Sequence, residues 1–274
     1  MTHKEKYKLL VFGAHPDDCD IKAGGLATLY AQKGHQVKFV SVTNGDAGHH
    51  QMGGAPLAIR RQAEAQAAAD IIGIEYELLD NQDGFLEPKL ENRLQIIKLI
   101  RQFQPDLILT HRPNDYHPDH RYTSILVQDA AYMVTVPNIC RLVPSLDYNP
   151  TILYLSDAFT KPNPFQADVV IGIDDVIGQK LDMMHCHQSQ FYEWLPYNAG
   201  IIDQVPSLEA DRRQWLANQR LKGFERIAEQ YRETLVSTYG EEKGLQIRYA
   251  EAFEACEYGS LLTQEKKQKM LIDF

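Results

Sequence analysis

The chain is poor in the features that mark several large protein classes. It has four cysteines, Cys19, Cys140, Cys186 and Cys256, with no C-x-x-C spacing among them. That excludes a small disulfide framework, and the expectation is four free thiols in a reducing compartment. No apolar run approaches the ~20 residues of a membrane span. The short apolar stretch near the start meets ionisable groups where a secretion signal needs its cleavage site, so the expected location is the cytoplasm. Basic excess is also missing. Lys and Arg number 28 against 37 Asp and Glu, a net charge of −9 with histidines neutral, which opposes binding to nucleic acid or anionic lipid. No internal repeat or low-complexity block breaks the sequence.

What is present suits a sizeable core. Hydrophobic residues make up 44% of the 274 positions, enough for one large domain or two small ones. Short apolar runs alternate with helical spacing. Tyr7 to Phe12, QVKFVSVT ending at Thr43, EYELL, DLILT, TILYLS and DVVIGI read as strands. Helices are expected over Ile21 to Lys33, Leu57 to Ile72, Leu90 to Phe103, Ser124 to Val134 and Asp174 to His187. This alternation predicts an α/β, Rossmann-like, doubly wound and mostly parallel sheet. The amphipathic pattern from Asp211 to Tyr239 predicts one long helix within a largely helical C-terminal extension.

Ligands of such sheets bind beyond the carboxyl ends of the strands. The first strand ends at AHPDD, the second at TNGD and the fourth at THRPNDYHPDH, so three polar clusters fall at one edge. In AHPDD, His15 and Asp18 are three positions apart, and a tight turn would aim both at one ion. Asp17 and Asp18 also suit a plain helix cap. The second cluster, Asp115 to His120, adds two histidines and two carboxylates. His15, Asp18 and one of His117 or His120 make a two-histidine, one-carboxylate set with room for water. Pro118 stiffens the turn, and His120 is taken as the third ligand. The same donor types serve non-haem iron oxygenases, so Fe2+ or another divalent cation is an alternative to zinc.

AHPDD, T-x-G-D (Thr43 to Asp46), R-x-x-E (Arg61, Glu64), HPDH at 117 to 120 and H-x-S-Q (His187 to Gln190) together resemble the LmbE/PIG-L family of zinc-dependent N-acetylglucosamine deacetylases. The resemblance runs in order from residue 7 to 190. It implies a deacetylase core over 1–190 and an extension over 191–274 packed on it. It further implies Zn2+ on His15, Asp18 and His120, Asp17 as general base, and His117 paired with Asp119 as acid or oxyanion holder. Arg61, Asn44, Tyr116 and His187 would meet the substrate, an N-acylated amino sugar. Some relatives have a tyrosine where this chain has Asp115. A non-catalytic sugar-binding protein is the rival from another class, and a homo-oligomer is compatible with the aromatic segment Phe191 to Tyr197. That segment suits either sugar stacking or packing. Around His185 and His187, successive residues on a helix diverge, which disfavours a second metal site. His49 and His50 are expected in a solvated loop, and His111 either in the core or behind a ligand.

Overall fold

The structure, a computed structural model, describes residues 6–273. Its centre is a seven-stranded sheet built from β1 (Lys8–Gly13), β2 (Gln36–Ser41), β3 (Glu75–Leu78), β4 (Leu107–Thr110), β5 (Thr151–Leu155), β6 (Val169–Gly172) and β7 (Ala250–Ala255). The spatial order is β3-β2-β1-β4-β5-β7-β6. All neighbours are parallel except β7, which runs antiparallel to both β5 and β6. β6 therefore points the same way as the parallel strands, and only β7 is reversed. The order reverses around β1, whose Leu9 is paired with Val37 on one side and Leu107 on the other. A crevice must open beyond the carboxyl ends of β1 and β4.

The central strands β1, β4 and β5 bury both faces, as apolar runs without strict polar alternation require, while the edge strand β3 is partly exposed. Leu9 and Val11 point into one core with α1 (Asp18–Gln32), α2 (Ala55–Ile72), α5 (Ile177–Cys186), the short α6 (Leu195–Asn198) and α7 (Glu209–Gln230). Leu10 and Phe12 point into the other, with α3 (Leu90–Phe103) and α4 (Pro118–Met133). A smaller cluster joins Val170 and Ala252 to Ala228 and to Leu235 of α8 (Arg232–Tyr239).

Two expectations are corrected, and the largely helical extension also carries one strand. The long C-terminal helix is two, because the chain leaves helical geometry at Tyr231 (φ −113°, ψ 30°) between α7 and α8. α1 and α4 begin earlier than hydrophobic spacing suggests, so HPDD and HPDH form helix starts. And the extension is not only helical: AEAFEA, rich in helix-forming Ala and Glu, is the strand β7. Tertiary partners override its propensity. Glu251 is buried and accepts from the Gly25 and Leu26 N–H groups of α1 at 2.7 and 2.9 Å, and it receives the Lys180 ammonium from α5. A Cβ at Gly25 would lie 2.6 Å from Ile173 and 2.9 Å from Glu251, so only glycine fits this contact.

Buried Arg101 fixes the far end of α4. Its guanidinium donates to the carbonyls of Met133, Val134, Val136, Ile139 and Val143, closing a helix end that lacks a basic last turn.

Candidate metal and acid–base site

The crevice predicted by the strand order is a cleft of about 620 Å³ lined by His15, Asp17, Asp18, His117 and His120 from the two turns. Asp17 occupies the N-cap position of α1 but makes no capping bond. Its Oδ1 instead accepts from Arg61 Nη2 at 3.1 Å. Asp18 Oδ2 turns back to accept from the Ala14 and His15 N–H groups at 3.0 and 2.8 Å. The capping alternative is thereby set aside for both side chains. A Cβ at Gly13 would meet Asp18 at 2.8 Å, so the strand end leaves room for that fold-back.

His15 Nδ1, Asp18 Oδ2 and His120 Nε2 form a triangle with sides of 3.5, 3.5 and 3.2 Å. Donors about 2.0–2.1 Å from a tetrahedral zinc stand about 3.4 Å apart. The donor chemistry fits a cation as well. His111 Nε2, 3.1 Å from the Ala14 N–H that donates to it, also lies 3.2 Å from Asp18 Oδ2. One carboxylate oxygen thus faces three imidazole nitrogens, which a shared ion reconciles. Overlapping groups, His15 with His117 and His120, and Asp18 with His111 and His120, also keep their donors within 4.8 Å.

Carboxylates stand behind the imidazoles. His15 Nε2 is 3.2 Å from Asp83 and 3.3 Å from Asp119, and Asp119 Oδ2 also accepts from the Gly84 N–H at 2.6 Å. Burial alone would lower the His15 pKa, but Asp119, Asp18 and Asp83 outweigh it and hold the ring well above its ordinary value. Asp115 Oδ1 is 3.1 Å from His120 Nδ1, off the hydrogen-bonding direction, and accepts from the His117 N–H. Asp115 therefore stands behind the His120 ring.

Burial raises the pKa of Asp17 against the lowering charge of Arg61, and Asp18 adds to the rise. Burial lowers that of His117, helped by His15 and His120. His117 Nδ1 accepts from the Asp119 N–H at 3.2 Å, so the neutral ring carries its proton on Nε2. Burial also lowers His111, to about 4.

Several sequence expectations are corrected. Asp119 does not pair with the His117 ring; at the second position of α4 its carboxylate reaches His15 instead. Asn44 is outside the cleft, bonded to Asp80 and to the Asp46 N–H. His187 is fully buried against Asp20 at 3.0 Å and lines no part of the cleft. Arg61 does line it, but its guanidinium is engaged by Asp17 and by the carbonyls of Pro16 and Gly45. Gly45 has φ +72°, and a Cβ there would stand 2.6 Å from Arg61. Tyr116 is 72% exposed at the cleft mouth, facing Phe159. His49 is not solvated: it meets Glu193 at 2.8 Å, and Arg60 binds the same carboxylate. Of the aromatic segment, Phe191 and Tyr192 are core and Trp194 lines the cleft. R-x-x-E and H-x-S-Q supply struts: Glu64 accepts from the Ser189 N–H and hydroxyl, and Gln190 donates to the Gly48 carbonyl. Asp83 was missed, although its place just past the end of β3 puts it at the same sheet edge.

Among the described residues no helix is long and apolar enough to cross a membrane, and all four cysteines are free.

Residues 10–131 match the family described as PIG-L: GlcNAc-PI de-N-acetylase. The chain is 33% identical to diacetylchitobiose deacetylase of Thermococcus kodakarensis over 204 residues, 69% of this chain and 74% of that one. It is 30% identical to 4-oxalmesaconate hydratase of Pseudomonas putida over 129 residues, 44% of this chain and 51% of that one. The solved N,N'-diacetylchitobiose deacetylase of Pyrococcus horikoshii shares the fold, with a TM-score of 0.70 at 23% identity over 92% of this chain and 84% of that one. The two turns that build the site lie inside the matched region, and on that match and the first relative the chain belongs to the PIG-L family.

Proposed function

We propose that the chain is a metal-dependent N-deacetylase of a glucosamine-type small molecule. One observation carries this: HPDD and HPDH, a hundred residues apart, close into a donor triangle beside a buried carboxylate in one cleft. His15, Asp18 and His120 would hold the cation, zinc by donor type with Fe2+ the alternative. When bound, a divalent cation makes its water acidic and polarises the amide carbonyl.

The remaining chemistry belongs to the side chains. Arg61 holds Asp17 at the cleft, and Asp17 takes a proton as water attacks the acetyl carbonyl carbon. Neutral His117 donates from Nε2 to the oxyanion that forms, as a fixed neutral donor does at lower reorganisation cost than solvent. The amide C–N bond then breaks, Asp17 returns its proton to the departing nitrogen, and acetate and a free amine result. Asp119 and Asp83 keep His15 in one orientation.

Acetate release from N-acetylglucosamine and its β-linked dimer, with and without a chelator, tests the proposal. Asp17→Asn should lose roughly 10²–10⁴-fold in kcat while metal content stays at the wild-type level. Unchanged turnover in that variant would remove the base assignment. The hydratase relative supports a second reading, in which water adds to a carbon–carbon double bond; hydration of an unsaturated dicarboxylate with no acetate release from any sugar would favour it.

A further inference from the structure

Three basic side chains line the cleft: Lys22, Arg61 and Arg220. Two have acceptors. Lys22 donates to the Ser156 carbonyl at 2.8 Å, and Arg61 is held as described. Arg220, from α7 in the C-terminal extension, differs. Its guanidinium has no hydrogen bond or ion pair among the described residues and lies 4.9 Å over the Phe191 ring. A ring face satisfies the charge in part but none of the five N–H donors. Burial lowers the Arg220 pKa, and the charge of Asp17 is what opposes this.

Arg220 is partly buried, and a guanidinium with no protein acceptor at the cleft keeps its N–H donors available to a ligand. Space for one exists. The cleft adjoins a second cavity of about 210 Å³, and Arg220 and Leu195 border both. Arg220 thus borders the junction of the two cavities, where a substituent extending from a sugar in the cleft would pass. A planar fork of donors suits a carboxylate or a phosphate.

We propose that Arg220 binds an anionic substituent, carboxylate or phosphate, that the N-acetylated sugar carries apart from its acetamide group. The preferred substrates are then acidic glycosides, and Arg220 is a specificity-determining residue. This rests on the deacetylase reading above.

The test compares methyl, carboxymethyl and phosphoethyl N-acetylglucosaminides as substrates for the wild type, Arg220→Gln and Arg220→Lys, with thermal melts to verify folding. The wild type should favour at least one charged glycoside over the methyl one, and the arm that wins identifies carboxylate or phosphate. Arg220→Gln should lower the charged-to-neutral ratio of kcat/KM about 10- to 100-fold, mainly through KM, and Arg220→Lys should recover part of it. An unchanged ratio, or a wild type that prefers the methyl glycoside, overturns the proposal. Calorimetry with the corresponding free-amine glycosides separates the two readings. If no acetamide is cleaved, the deacetylase reading fails, while tighter wild-type binding of a charged amine glycoside, lost in Arg220→Gln, still upholds the anion site. Equal binding in both proteins sinks it.

Discussion

At the scale of single residues, the site is governed by what stands behind each donor. Asp115 illustrates this. Its carboxylate is 3.1 Å from the outer nitrogen of His120, and its other contact, with the His117 N–H, fixes the start of α4. Such backing carboxylates orient a ligand imidazole and raise its basicity. Asp115→Ala should therefore weaken cation affinity about 10- to 100-fold, read by chelator competition, with the fold intact by circular dichroism. Unaltered affinity would reduce Asp115 to a helix-start residue. HPDD and HPDH were legible in the sequence because two turns rich in His and Asp follow two strands of one sheet. The partner of Asp119 was not, because the choice between His117 and His15 depends on how α4 is angled against the end of β1.

At the scale of elements, two ties decide how the pieces lock. Glu193, in the turn after α5, receives Arg60 of α2 in a two-pronged contact and His49 of the glycine-rich loop. Arg60 is the leading cause of a lowered Glu193 pKa, with burial opposing it and His49 assisting. A depressed carboxylate stabilises the fold above its unfolded value and loses that contribution as pH falls through the folded one. The stability difference between wild type and Glu193→Gln, at most ~1 kcal/mol for a partly exposed pair, should accordingly be present at pH 7 and smaller at about pH 4, disappearing only below the depressed folded value. Denaturant titration at both pH values checks it, and a constant difference would show the contact to be neutral in effect. The second tie is the buried Lys180–Glu251 pair joining α5, β7 and α1. Lys180→Met strands the carboxylate and should cost about 3–5 kcal/mol, whereas Lys180→Met with Glu251→Gln should cost much less. Equal losses would mean the charge itself contributes nothing. None of this was readable from AEAFEA, whose composition favours a helix until β5 and β6 offer it two strand edges.

At the scale of the whole molecule, the parallel sheet was legible, since apolar runs of strand length alternate with helical spacing through residue 187. Its closing strand stayed hidden because β7 has no local signature, only distant partners. The same long-range character would make a cation bound there structural as well as chemical. Its proposed donors come from the ends of β1 and the start of α4, so a bound ion braces both sides of the sheet's switch point. Removing it with a chelator should lower Tm, and re-adding zinc at roughly a thousand times its Kd should restore about 4 kcal/mol. A melt indifferent to the ion would count against a metal at this site.

The reversed strand has a consequence for how the protein is made. β6 leaves the ribosome long before the segment that must slot between it and β5, and at roughly 5–20 residues per second the gap stays open for several seconds. During that interval the nascent sheet exposes two unpaired strand edges, and Arg220 arrives at the cleft only in the same late stretch of chain.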